Sequence, residues 1–327
     1  MSGETPAARA RGPSLPHAGQ QVNFCEVLLR DGLQSWPEFI PTSDKIRLVE
    51  AIARAGVPEI DLASFVSQKL VPQFADRLEL LAAIDPHFRI RVLAVNDKGV
   101  QAAIEAHRQV RPIDICGIPF SVSEPHNLAN LRRNHADHRL AVAAMVAELQ
   151  AAGIRPLIGV ATAFGCPIRG RIESRETLDL AHWAYDLGVR DIMFGDTTGL
   201  AEPVAVASVF SAAAAGLEGV NLIAHFHDNR GIGIVNALAA IGAGASTVDA
   251  CLGGLGGEPR GIELGLSGDQ GNVVSEDLVN VLTAIGANTG IDPQALVEAG
   301  ALAEDILKRQ LLSKVQRSGL GRFAEAE

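Results

Sequence analysis

Short apolar runs recur along the chain, and amphipathic stretches separate them. The runs predict strands over 22–29 (VNFCEVLL), 59–65 (EIDLASF), 89–95 (RIRVLAV) and 113–120 (IDICGIPF). They continue over 156–164 (PLIGVATAF), 191–197 (DIMFGDT), 221–228 (NLIAHFHD) and 247–254 (TVDACLGG). Between them, 43–56 (SDKIRLVEAIARAG) and 174–188 (SRETLDLAHWAYDLG) bring apolar residues back every three or four positions, the period of a helix with one buried face. Ser43 reads as an N-cap and Gly56 as a C-terminal stop.

Strand and helix alternate throughout, so the sheet is expected to be parallel. Eight such units predict a (β/α)8 TIM barrel. A doubly wound open sheet would carry a glycine-rich phosphate loop after its first strand, where this chain has LLRDGLQ. The domain reading is a disordered lead-in over 1–20, one catalytic barrel over 21–290 and a helical extension over 291–327. The apolar faces of that extension need a cover, which suggests a homodimer. The segment 124–153 is longer than one barrel helix requires, and its start, EPHNLANLRRNHADH, is expected to be an insertion at the active face.

Composition narrows the function. Of 327 residues, 47% are hydrophobic and 20% charged, which is enough apolar material for a large core. The net charge of −10 argues against a nucleic-acid partner. No apolar run reaches the roughly 18 residues that a membrane span needs. The N-terminal stretch lacks the apolar core of a secretory signal. Cys25, Cys116, Cys166 and Cys251 are scattered without a C-x-x-C pair, which suits a reducing, cytoplasmic setting.

In such a barrel the chemistry sits at the carboxyl ends of the strands. Arg30 and Asp31 follow the first, Asp61 lies in the second, and Asp196 ends the sixth. His225 and His227 lie two apart on the seventh and therefore share a face. If that face is the barrel interior, the two imidazoles converge there. A carboxylate from Asp31 and the amide oxygen of Asn272 would complete a mixed nitrogen and oxygen shell for a divalent cation. Mg²⁺ or Mn²⁺ is favoured by the oxygens, with Zn²⁺ or Co²⁺ compatible. Asp61 is a candidate partner for Arg30. His107, His126, His135 and His138 follow no pattern and read as surface residues.

Several motifs in order carry a resemblance. They are EVLLRDGLQ (26–34), SFVSQKLVPQFAD (64–76), GCPIRGRI (165–172), FGDTTG (194–199), HFHDNRG (225–231), GLGGEP (254–259) and GNVVSEDLV (271–279). Together they resemble the hydroxymethylglutaryl-CoA lyase family, within the wider metal-dependent barrels that include isopropylmalate synthase and 4-hydroxy-2-oxovalerate aldolase. The resemblance implies a divalent-metal lyase that cleaves a carbon–carbon bond in a 3-hydroxyacyl-CoA thioester. By the matching motifs, Asp31, His225, His227 and Asn272 would hold the metal. Arg30 would stabilise the developing enolate oxygen, His225 would also transfer a proton, and Gln34 and Asp196 would line the substrate pocket.

The chain departs from that pattern at four places. Glu258 stands where the lyases carry a loop cysteine, and Glu263 lies in a loop that is about five residues longer than theirs. Asp61 replaces a glutamate. SWPEF follows RDGLQ without the basic residue that serves the CoA end. A related, non-standard substrate is expected, with Glu258 or Glu263 as the replacement proton donor. Two other readings remain: an aldolase or synthase acting on a 2-oxo acid, and a non-catalytic metal- or metabolite-binding homologue.

Overall fold

In this computed structural model the description covers residues 14–257 and 271–321. Eight parallel strands close into a barrel in chain order: β1 (Asn23–Glu26), β2 (Glu59–Ser64), β3 (Arg89–Leu93), β4 (Ile115–Ser121), β5 (Arg155–Ala161), β6 (Asp191–Asp196), β7 (Asn221–Phe226) and β8 (Thr247–Ala250). Each strand pairs with its sequence neighbour, and β1 closes on β8 with Cys25 opposite Asp249. The connecting helices are α1 (Thr42–Arg54), α2 (Arg77–Ala83), α3 (Asp97–Gln109), α4 (Glu124–Leu131), α5 (His135–Ala151), α6 (Ser174–Asp186), α7 (Pro203–Gly216) and α8 (Gly233–Gly242). The predicted TIM barrel is therefore the fold.

Alternation along each strand decides which residues face the helices. On β6, Phe194 points outward and meets Phe210 of α7 edge to face at 5.2 Å. Phe210 in turn reaches Phe226 of β7. The interior is divided. On β2, β3 and β8 it is charged, because Arg91 bonds Glu59 at 2.7 Å and Asp249 at 2.7 Å. At the floor of β4 to β7 it is apolar, with Ile115, Leu157 and Ile223 buried together against Met193.

Some expectations change. Gly56 does end α1 with φ +84, but the residue before that helix is Pro41, and Ser43 lies inside its first turn. Residues 14–20 are not a free lead-in: the Ser14 hydroxyl donates to the Gly242 carbonyl, and Gly19 N donates to Gly286 O. Residues 1–13 and 322–327 lie outside the described residues. The C-terminal helices α9 (Ser275–Ile285), α10 (Pro293–Leu307) and α11 (Val315–Ser318) pack on the chain's own barrel. Leu296, Ala299, Ala303 and Leu307 are buried on α10, which lies against α1 and α9. Their apolar faces are covered within the chain, so they make no case for a homodimer.

Candidate metal centre and substrate cavity

β1 ends in a wide turn, Leu28–Gly32, in which Gly32 N bonds back to Val27 O five residues earlier. Such single turns occur mainly at functional positions. This one carries Arg30 and Asp31 into the barrel mouth while both stay buried. Across the mouth, β7 points His225 and His227 inward, with ring centroids 5.3 Å apart. Ligand atoms of Asp31, His225 and His227 all lie within 4.8 Å of one another. His227 Nε2 is 3.9 Å from Asp31 Oδ2. One carboxylate and two imidazoles, buried together at the inner end of a cavity, fit a divalent cation.

Charge in the site is arranged around Arg30. It donates from Nη1 to Asp31 Oδ1 at 2.6 Å and from Nε to Asp61 Oδ2 at 2.6 Å. Burial alone would push the Asp31 carboxyl up, but Arg30, and after it His225 and His227, hold it well below the usual carboxylate range. Asp61 is raised, because burial outweighs the help of Arg30 and Arg91. Burial disfavours the Arg30 cation too, yet Asp61 and Asp31 more than compensate and raise it.

The predicted residues fall into distinct places. Arg30, Asp31, Gln34, His225 and His227 all line one cavity of about 380 Å³. Asp61 is not among its lining residues; it accepts from Arg30 Nε and so reaches the cavity only through that side chain. Asp196 does not line the cavity either. On β6 it alternates outward, while Gly195 and Thr197 face in, and its two oxygens accept N–H bonds from Leu200 and Ala201. Burial pushes its carboxyl up to about 6, against those two bonds.

Asn272 adjoins the centre, but its amide nitrogen faces it, donating to Asp31 Oδ2 at 2.6 Å and to Leu255 O at 2.7 Å. Ligation by its oxygen requires the amide to turn over. Glu258 and Glu263 lie outside the described residues.

Four features escaped the pattern. Asp249 Oδ2 lies 3.3 Å from His225 Nδ1 and also accepts from Arg91. The parity of β8, with Thr247, Asp249 and Cys251 on one face, would have pointed to it. His126 and His138 are buried, not superficial. His126, on α4, lines the cavity with Asn130 and Leu131, so the expected insertion at the active face is there. Thr162, just past β5, has φ +55, a strained value for a β-branched residue. Its hydroxyl accepts from Ser123 N, and its own N–H donates to the Thr197 hydroxyl at 2.7 Å.

The HMGL-like family model matches residues 21–303. The chain belongs to this family. It is 35% identical to the mitochondrial hydroxymethylglutaryl-CoA lyase of Bos taurus over 301 residues, covering 91% of this chain and 90% of that one. It is 32% identical to the (R)-citramalyl-CoA lyase of Chloroflexus aurantiacus, covering 92% and 95%. Among solved structures, an HMG-CoA lyase from Acinetobacter baumannii in complex with coenzyme A and 3-methylmalate superposes with a TM-score of 0.85 at 35% identity, covering 94% of this chain and 98% of that one. The chain is thus a carbon–carbon lyase of the hydroxymethylglutaryl-CoA lyase-like type, in a family that depends on a divalent metal.

Proposed function

We propose that the protein cleaves a 3-hydroxy-3-carboxyalkyl acyl-CoA thioester, hydroxymethylglutaryl-CoA or a close analogue, with Mg²⁺ or Mn²⁺ at Asp31, His225 and His227. The observation that carries this reading is the convergence of those three ligands beside Arg30 in one cavity.

When bound, the cation would lower the pKa of the substrate's hydroxyl and orient it together with a neighbouring oxygen. The residues do the rest. Arg30, fixed from two sides by Asp31 and Asp61, presents a rigid guanidinium to the oxygen that becomes an enolate. A donor of that kind lowers the barrier by roughly 3 kcal/mol. Gln34 lines the same cavity and offers an amide to the substrate. Glu258 is the proposed donor that reprotonates the enolate carbon. The apolar walls Val66, Val71, Val95 and Leu131 exclude water from the carbanion.

The deciding experiment incubates purified protein with hydroxymethylglutaryl-CoA and Mn²⁺, reading acetyl-CoA by mass spectrometry with an EDTA control. Release that depends on metal supports the reading; no release with metal bound would sink this substrate.

A second reading, an aldolase or synthase acting on a 2-oxo acid, has one observation in its favour. Among the described residues, Arg30 is the only lysine or arginine lining the cavity, and both neighbouring carboxylates already hold it. A CoA phosphate would have to find its cation elsewhere. Pyruvate release from a 4-hydroxy-2-oxo acid, without acetyl-CoA from any thioester, would favour this reading.

A further inference from the structure

The apolar half of the barrel interior is hollow along a line that steps up three neighbouring strands. β4, β5 and β6 are neighbours, and each brings a glycine to the cavity: Gly117, Gly159 and Gly195. A glycine within a strand gives up packing and backbone order, and it commonly marks the close approach of a ligand. The fold itself does not demand these three. None has a positive φ. A Cβ on Gly117 or on Gly195 would meet its nearest neighbour at 3.6 Å, an ordinary contact. On Gly159 it would meet only the flexible end of Met193, at 3.2 Å. Gly256 is the contrast, where a Cβ would lie 2.5 Å from Asn272 Nδ2 and 2.9 Å from Asp31 O.

What surrounds the hollow is apolar: Leu93, Pro119, Leu157 and Met193 line the cavity with the glycines. Leu157 and Met193 belong to the small cluster that floors the barrel beneath. Met193 is the residue type best able to adapt to an occupant. The hollow also lies beside the metal ligands, because Gly195 is the direct cross-strand partner of His225. The charged groups, Arg30, Asp61 and Arg91, come from the opposite strands.

From this division we infer the substrate's shape. The hydroxyl-bearing carbon carries an apolar substituent larger than methyl, and that substituent sits over Gly117, Gly159 and Gly195. The inference rests on the lyase reading above and specifies its substrate. With the hydroxyl and the carboxylate arm on the charged side, and the thioester arm running to the cavity mouth where CoA must reach solvent, the fourth group on that carbon is directed at the apolar side. The reaction is unchanged in its balance. The hydroxyl proton leaves to a base, and the bond from that carbon to the thioester α-carbon breaks. Its electron pair passes to the thioester enolate, and a proton returns to the α-carbon. Acetyl-CoA and a ketone bearing the larger substituent depart.

The test compares kcat/KM for hydroxymethylglutaryl-CoA with that for its analogue carrying isobutyl in place of methyl. Wild type is expected to prefer the isobutyl compound at least tenfold, on the scale of roughly 10–200-fold for a methylene in an apolar pocket. Gly159→Val should lower the isobutyl-to-methyl ratio at least tenfold, and Gly117→Ala, which the packing admits more easily, should lower it in the same direction. A wild-type preference for methyl, or a ratio unmoved in both variants, overturns the proposal.

Calorimetry with the free acids of the two thioesters, 3-hydroxy-3-methylglutarate and its isobutyl counterpart, in Mn²⁺ separates this failure from failure of the lyase reading. If neither thioester is cleaved, the lyase reading falls. The pocket assignment then survives only if wild type binds the isobutyl acid more tightly and Gly159→Val abolishes that preference.

Discussion

Asp249 holds His225 at its Nδ1, 3.3 Å away, through the same oxygen that takes a 2.7 Å bond from Arg91. Burial would raise the Asp249 carboxyl, but Arg91 and then His225 keep it below its ordinary value. An ionised carboxylate only accepts, so Nδ1 carries the proton and Nε2 keeps its lone pair for a cation. Arg91 is itself fixed by Glu59, so three strands of the barrel set the orientation of one imidazole.

Replacing that carboxylate tests the arrangement directly. Asp249→Asn should weaken Mn²⁺ binding by about 10–100-fold, the usual effect of losing a partner behind a metal-bound histidine. Titration calorimetry measures the affinity, and ¹⁵N correlation spectra of the histidine rings report the tautomer. Unchanged affinity with an unchanged Nδ1–H tautomer would remove Asp249 from this role.

Arg30→Lys keeps the charge but loses the planar fork that spans Asp31 and Asp61. The expected fall in kcat for acetyl-CoA release is on the order of 10²–10³, as for loss of an oxyanion donor. A loss smaller than tenfold would mean that the guanidinium does not meet the enolate.

Gly256 has φ +100 and lies against both Asp31 and Asn272. Gly256→Ala should strain the backbone by about 1–3 kcal/mol and displace the amide that ties Asp31 to Leu255. Weaker Mn²⁺ binding with the barrel's circular dichroism retained is the expected outcome. Wild-type affinity would show that the close approach has no bearing on the centre.

Two buried acids predict a pH dependence of stability. Burial pushes Glu26 up to about 7, against its bonds from Ser275, Leu252 and Leu28. It pushes Glu276 up to about 8, against a bond from Gly253 N. In the unfolded chain both titrate near the ordinary glutamate value of 4.5. The folded state therefore binds more protons between those limits, and stability falls as pH rises. The stabilisation is full below about 4.5 and is lost as pH passes through about 7 to 8. In EDTA the melting temperature should drop from pH 5 to pH 8.5, and Glu276→Gln should flatten the slope. A melting temperature that rises over this range would contradict the raised values.

The barrel was legible from local pattern alone. Eight apolar runs with helical stretches between them leave few ways to bury both faces of a parallel sheet, and closure is the economical one. The pairing of His225 with His227 was legible too, because residues two apart on a strand must share a face. Asp31, close after the first strand, belonged to the same reading.

What lies behind those ligands is set by long-range contacts. Asp249 is 24 positions from His225, and Arg91 is 158 from Asp249. No local pattern records such a bond, because it is made by the closing of the barrel. The outward turn of Asp196 depended on where β6 ends and which backbone N–H groups then need an acceptor. His126 and His138 were buried by helices that fold back over β4, an outcome that helical period alone does not reveal. The hollow at Gly117, Gly159 and Gly195 has the same cause. Single glycines on separate strands mean little until barrel closure sets them beside one another and beside a metal ligand.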